Sequence, residues 1–267
     1  MAKPIPGARL EAPQCPTPTE RFSGRVGSYK VGRPHYPPEI IDVLRQRTGL
    51  LPEHVIADIG CGTGISSDLF LANGNRVFGI EPNPDMREGA AESAERYSGY
   101  TLLDGSAEAT SLPDASVDYI VAGQAFHWFD RRRAHSEFKR ILKPRGWVVL
   151  FWNVRLNKGA FSHEYEALID RFALDYRGTA GGIPKGPGVL GEFFGAAPAE
   201  LIMPNQQVLS AEGFRQRFFS CSYIPAVDSP LEPEITAEVD RLFDLYQQEG
   251  KLTINYETRL YWGRLTA

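Results

Sequence analysis

The 267-residue chain has a mass of 29.7 kDa, 42% hydrophobic and 23% charged residues, and a formal net charge of −4. These fractions exclude a disordered or fibrous chain, and the acidic pI of 5.8 argues against nucleic-acid binding through bulk positive charge. The longest apolar run, Trp147 to Trp152, is far short of the ~20 residues of a membrane span, and Met1 to Pro13 lacks the apolar core of a signal peptide.

Five prolines within residues 1–20 predict a flexible tail. The segment from Arg21 to Pro38 reads as an ordered arm or loop, and a helix follows that Pro38 opens and Gly49 ends. Strand and helix then alternate. Strands are expected at Val55–Ile59, Arg76–Ile80, Tyr100–Leu103, Val117–Ala122 and Trp147–Trp152. Helices are expected from Ile65 to Ala72, from Asp85 to Arg96, and from Ala134 to Leu142, where Lys143-Pro144-Arg145-Gly146 stops the last one. A loop with a short helix is expected after Leu103. Five such β-α repeats predict a parallel, doubly wound sheet.

After Asn153 the pattern changes. Amphipathic helices are expected from Phe161 to Tyr176, Glu212 to Phe219 and Glu232 to Gln248, with strands at Leu201–Leu209 and Leu252–Leu265. The chain has 26 glycines and 20 prolines, and seven of the glycines fall between residues 178 and 195. That stretch reads as either a slack linker or a mobile lid. Three cysteines (Cys15, Cys61, Cys221) without C-x-x-C spacing and five histidines without an H-x-x-x-H pair predict a reduced, cytoplasmic, metal-free protein.

The chemistry concentrates in the alternating segment. DIGCGTG at 58–64 joins a strand to a helix, where an open α/β sheet binds ligands. Its G-x-G-x-G spacing differs from the longer G-x-G-x-x-G dinucleotide turn, which disfavours a nicotinamide oxidoreductase. Glu81 ends the second strand, placed to accept hydrogen bonds from both hydroxyls of a ribose. Loop and acid together indicate a nucleoside ligand.

With GIEPNPDM (79–86), GSAEATSLPDASVDYIV (105–121) and RILKPRGWVVL (140–150), the glycine loop resembles the class I S-adenosylmethionine-dependent methyltransferases over about residues 55–153. The resemblance implies a Rossmann-like methyltransferase fold: a doubly wound, mostly parallel seven-stranded sheet with a helical cap. It implies one domain over 21–267, with the cofactor core at 55–153 and with 21–54 and 154–265 forming the acceptor-side cap and completing the sheet. By the same resemblance, the loop Gly60-Cys61-Gly62-Thr63-Gly64 passes under the methionine part of S-adenosylmethionine. Asp58 orders its amino group, Glu81 holds the ribose, and Pro82 and Asn83 flank the adenine. Ser106 stands where many relatives carry an acid, so the adenine contact passes to Glu108 or the Ala107 backbone.

QAFHWFD (124–130), the Tyr29/Arg33/Pro34/Tyr36/Pro37 pattern, Trp152-Asn153 and Ser220-Cys-Ser-Tyr223 resemble a narrower group, the small-molecule carboxyl methyltransferases of the trans-aconitate type. This implies Gln124 and Ala125 near the sulfonium, with His127 and Trp128 beside them, and Gln124 and His127 as orienting catalytic residues. Tyr29, Arg33, His127, Trp128, Trp152 and Tyr223 are the expected acceptor-binding residues. Methyl transfer from a sulfonium is an in-line displacement that needs alignment and exclusion of water. A carboxylate acceptor is ionised at neutral pH and needs no base, whereas a hydroxyl or amine acceptor would draw on His127. Arg33 suits a carboxylate through its forked donors. Cys61 reads as a small filler, and Arg131-Arg132-Arg133 as a solvated helix start. A catalytically silent cofactor-binding protein shares every cofactor residue with this reading. The expected partner is a small molecule, with neither nucleic acid nor membrane, and oligomeric state is left open.

Overall fold

The computed structural model describes residues 26–173, 182–183 and 188–266. The expected tail at 1–20, the start of the arm, Cys15 and part of the 178–195 stretch lie outside the described residues. In chain order the elements are α1 (Val26–Gly32), α2 (Glu39–Thr48), β1 (Val55–Ile59), α3 (Ile65–Ala72), β2 (Arg76–Ile80), α4 (Pro84–Gly89), α5 (Ala91–Arg96), β3 (Tyr100–Leu103), β4 (Val117–Gly123), α6 (Arg131–Ile141) and β5 (Leu142–Arg155). They continue with α7 (Ala160–Phe172), α8 (Val189–Phe194), β6 (Ala199–Leu209), α9 (Ala211–Phe219), α10 (Glu232–Tyr246) and β7 (Leu252–Gly263).

The strands form one seven-stranded sheet in the order β3-β2-β1-β4-β5-β7-β6. The pairs β3–β2, β2–β1, β1–β4 and β4–β5 are parallel, whereas β7 runs antiparallel to both β5 and β6. The order reverses between β1 and β4, so their C-terminal ends border the crevice where such sheets bind ligands.

Alternation along the strands builds the core. Val148, Leu150 and Trp152 of β5 face one apolar layer with Phe126, Phe138 and Phe193, while Val149 and Phe151 face the other with Ile40, Leu44 and Phe70. A third cluster joins α7, α9 and α10 to Ile254 and Tyr256 of β7. The helix ends follow from local chemistry. Gly49 takes the left-handed conformation (φ 77°) after α2, and Asp130 caps α6 by accepting the N–H groups of Arg132 and Arg133.

Several expectations are corrected. The single helix over 85–96 is two, α4 and α5, broken after Gly89. The segment after β3 holds an isolated Ser106–Ala109 bridge and turns, with no helix between 104 and 116. Lys143 to Gly146 does not precede β5 but lies within it, in an irregularity where Arg145 has φ 69°. The arm contains helix α1. At the far end of the glycine-rich stretch, α8 buries Phe193 and Phe194 in the core, so residues 189–194 are neither linker nor lid.

Candidate active site

The glycine loop is pinned before any ligand is considered. The N–H groups of Gly60 and Cys61 donate to the Ile80 carbonyl at 2.8 and 3.2 Å, tying the turn after β1 to the end of β2. Gly60, Gly62 and Gly64 have φ of 69°, 57° and 90°, the left-handed region that disfavours side chains. A Cβ at Gly60 would come within 2.7 Å of the Ala125 methyl, so the loop and the segment after β4 touch backbone to side chain.

Two acids flank this turn. Glu81 is 9% exposed; its Oε2 accepts the Gly62 N–H and its Oε1 the Asn83 N–H, both at 3.0 Å. Burial raises its pKa, while those two backbone bonds and Arg87 pull it down. Asp58 is fully buried. One carboxylate oxygen accepts the hydroxyls of Ser66 and Ser67 at 2.7 and 2.6 Å, and the other, Oδ1, has no partner. Burial is the largest cause of its pKa rising to about 6, against the lowering by both serine hydroxyls; the charge of Glu81 adds to the rise. The buried Thr63 hydroxyl also lacks a partner. Cys61 is buried, which pushes its thiol pKa well up, as befits a filler.

A cleft of about 270 Å³ opens over Gly60, Gly62 and Glu81, with the Asp58 side chain behind its wall. Glu81, Pro82, Asn83, Met86, Ser106, Ala107 and Glu108 line one part, and Gly123, Gln124, Ala125, Trp128, Phe129 and Tyr29 the other. Ser106 is held locally, accepting the Glu108 N–H at 3.3 Å, and Glu108 in turn accepts the Asp130 N–H at 2.8 Å. A smaller cavity of about 40 Å³ continues past the loop, lined by Tyr29, Arg33, Tyr36, Thr63, Ser66, Gln124 and Asn153 among others. Arg33 donates from Nη2 to the Ser220 carbonyl at 2.9 Å and stacks over the Tyr29 ring, and its Nε is buried without a partner.

Other expected acceptor residues stand elsewhere. Trp152 is fully buried in the core between Phe126 and Tyr261, so it does not line the cleft. Tyr223 packs against the cluster of α7, α9 and α10, and Tyr256 is buried there as the acceptor of Arg217 Nε at 3.0 Å. His127 packs beside Trp128 (ring centroids 4.7 Å apart) and under Gly182, outside the lining of both cavities. The surrounding protein, and then the charge of Arg33, lower its pKa, so the imidazole is neutral at pH 7 although the residue still meets solvent. Arg131, Arg132 and Arg133 are exposed.

Sequence reasoning missed Met86 and Phe129 in the cleft wall and the clamp at Asn153. Asn153 Nδ2 donates to the carbonyls of Pro34 and His35, both at 3.2 Å, and its Oδ1 accepts from Thr258 and Asn205 at 2.5 and 3.0 Å. The arm that carries Tyr29 and Arg33 is thereby fixed to β5, β6 and β7.

Five parallel strands extended by the antiparallel pair β7 and β6 form a Rossmann-like sheet. Residues 57–150 match the family described as a methyltransferase domain. An uncharacterised methyltransferase of Mycobacterium tuberculosis is 36% identical over 152 residues, covering 56% of this chain and 59% of the relative. One from Schizosaccharomyces pombe is 28% identical over 151 residues with the same coverage, so the match spans under two thirds of these relatives' lengths. Among solved structures, a protein of Anaeromyxobacter dehalogenans described as a type II methyltransferase superposes with a TM-score of 0.61 at 22% identity, covering 87% of this chain and 98% of that one. The cyclase SpnF superposes at 0.54 with 17% identity, covering 93% and 97%. No described helix is long and apolar enough to cross a membrane.

Proposed function

We propose that the protein transfers a methyl group from S-adenosylmethionine to a small molecule, at a carboxylate oxygen. The observation that carries the cofactor reading is the pair of acids at the ends of β1 and β2. Glu81 is held by two backbone N–H groups and lines the cleft, a fixed acceptor for ribose hydroxyls. Asp58 keeps one buried carboxylate oxygen unpartnered, an arrangement suited to an ammonium group. The glycines between them let a ligand approach where a Cβ would clash. These residues fit the cofactor, which would supply an activated methyl group. Asn83, Ala107 and Glu108 would border the adenine.

The carboxylate acceptor is supported by Arg33. Its buried Nε lacks a partner, and it lines the cavity that continues from the glycine turn. Guanidinium donors recognise a carboxylate as a charge and as a planar fork. Tyr29, Trp128 and Phe129 would exclude water and leave alignment as the protein's main contribution. A carboxylate needs no proton removed, which agrees with His127 standing outside the cleft lining.

Isothermal titration with S-adenosylmethionine and with its demethylated product tests the cofactor. No heat at ~0.1 mM ligand, within the usual range of enzyme affinities, would end the reading. A screen of small carboxylates with a labelled methyl donor then separates an active enzyme from a silent binder of the same fold.

A further inference from the structure

We propose that Cys221 is held as a thiolate, the counter-ion of the buried Arg217, and that this pair positions the arm carrying Arg33. The pair follows from its own geometry; its bearing on the acceptor rests on the reading of Arg33 given above. Arg217 is only 5% exposed, and no described carboxylate pairs with it. Its Nε donates to the Tyr256 hydroxyl at 3.0 Å and its Nη1 to the Cys221 sulfur at 2.9 Å. Tyr256 in turn donates to Gln207 Oε1 at 3.4 Å, so it keeps its proton. Glu166, the acid beside this cluster, is paired with Arg155. A buried guanidinium without a counter-charge is strongly destabilising, which leaves the sulfur to supply one.

The surroundings of the sulfur are those of an anion. Arg217 Nη1 and the Tyr223 hydroxyl both donate to it, and the positive charge of Arg33 faces it. The Arg217 carbonyl, 3.7 Å from the sulfur, already receives the Ser220 hydroxyl at 2.7 Å, so a thiol proton would compete for an occupied acceptor. From α7, Tyr165 also faces the cluster, and Arg155 of β5 lies over its ring. Burial pushes the hydroxyls of Tyr165 and Tyr223 up, so neither takes the negative charge. Burial works against the thiolate as well. The charges of Arg217 and Arg33, with the two donors, outweigh it and bring the thiol down from 9.0 to about 7.

The arm rests directly on this pair. Ser220, next to Cys221, presents its carbonyl to Arg33 Nη2 at 2.9 Å. Gly32 packs so tightly on α9 that a Cβ there would come within 2.5 Å of the Gln216 carbonyl oxygen. Gln207 Nε2 adds a bond to the Gly32 carbonyl at 3.1 Å. The arm is therefore seated on the last turn of α9, the turn that Arg217 and Cys221 hold closed. Cys221 lines neither cavity and acts through Ser220 and Arg33, which makes it a positioning residue.

The test uses the full chain and needs no acceptor. The ultraviolet absorbance of thiolate is titrated in wild type and Cys221→Ser, and their difference isolates Cys221 from Cys15 and Cys61. A step at about pH 7, well below the 9.0 of an ordinary thiol, is expected. In Arg33→Gln the step should move up, because a cation facing the sulfur is gone. Thermal denaturation gives the second readout. A lowered pKa contributes stability above the ordinary value that is lost as pH falls through the folded one. The Tm deficit of Cys221→Ser should therefore widen from about pH 7 to about pH 9, reaching roughly 2–4 °C. Cys221→Asp restores an anion and should recover most of that loss. If Cys221→Ser does not fold, Cys221→Asp serves as the reference for the absorbance difference. A step in the ordinary thiol range, or a Ser variant as stable as wild type with a less stable Asp variant, overturns the pair. A step at about pH 7 that Arg33→Gln leaves in place overturns the link to the arm. Neither result touches the methyl-transfer reading, which fails on its own if no cofactor binds.

Discussion

The carboxylate of Glu81 accepts the N–H of Gly62 at 3.0 Å, so the acid ending β2 and the turn following β1 are one hydrogen-bonded unit. Removing the side chain should act twice. Glu81→Ala leaves the Gly62 and Asn83 N–H groups without their acceptor and, on the proposed reading, removes the ribose ligand, weakening cofactor binding by about 1–3 kcal/mol. Calorimetry measures the affinity and thermal denaturation the local loosening. Unchanged affinity would refute the ribose assignment.

Asp58 gives the protein without ligand a dependence on acid. Its pKa of about 6 in the fold lies above the 3.8 of a free side chain, so the native state binds the proton more tightly than the unfolded chain. The stability tied to this group is complete below about pH 4 and is lost as pH rises to about 6, on the order of 3 kcal/mol. On the proposed reading, in which Asp58 pairs with an ammonium group, cofactor affinity should move the other way, falling below about pH 6 as the carboxylate becomes protonated. Asp58→Asn should flatten both curves, and Tm recorded from pH 4 to about 7.5 shows whether it does.

His127 is neutral at physiological pH and outside the cleft lining. With a carboxylate acceptor, His127→Ala should keep a level activity profile between about pH 6.5 and 9. A steep new pH dependence in the variant would instead make the imidazole a base and the acceptor a hydroxyl or amine.

Asn153→Leu removes four hydrogen bonds at once and leaves the Pro34 carbonyl facing an apolar group, whereas the His35 carbonyl keeps the Asn205 amide at 2.8 Å. The expected cost is roughly 1–3 kcal/mol in stability. Because the freed arm carries Arg33, the KM for the acceptor should rise more than the cofactor Kd. Equal changes in the two constants would argue that the clamp serves the fold alone.

Gly60→Ala should be damaging for two separable reasons: the left-handed backbone, at about 1–2 kcal/mol, and the 2.7 Å approach to the Ala125 methyl. Combining it with Ala125→Gly relieves only the second. Partial recovery of Tm and cofactor binding is expected, and full recovery would show that φ at residue 60 costs little.

The parallel half of the sheet was readable because β-branched strands stop at glycines and acids, and because the helix between β1 and β2 has plain spacing and a clear end. The Glu81 end of the cleft was readable for the same reason: Glu81 and the glycines of the turn sit at strand ends that topology brings together. What escaped had a competing signal. Gly146 and Pro144 resemble a terminator, yet a local irregularity lets the β4–β5 ladder form at Leu142 and resume at Trp147. Glycines around 188–195 concealed a core helix whose signal was Phe193-Phe194. Trp152 shares a strand face with Val148 and Leu150, and period-two spacing alone assigns it to the core. The Asn153 clamp joins residues from four distant segments, a relationship that no local pattern encodes.

The antiparallel strand β7 has a consequence for synthesis of the chain. It lies between β5 and β6, so β5, one of the most apolar strands, has an open hydrogen-bonding edge until residues 252–263 arrive. On a ribosome, everything through α10 would emerge while that edge is still a template for pairing with another chain. A chain stopped before Leu252 should therefore aggregate even though it contains every residue that lines the cleft, and its loss of solubility would record the moment at which the last strand closes the sheet.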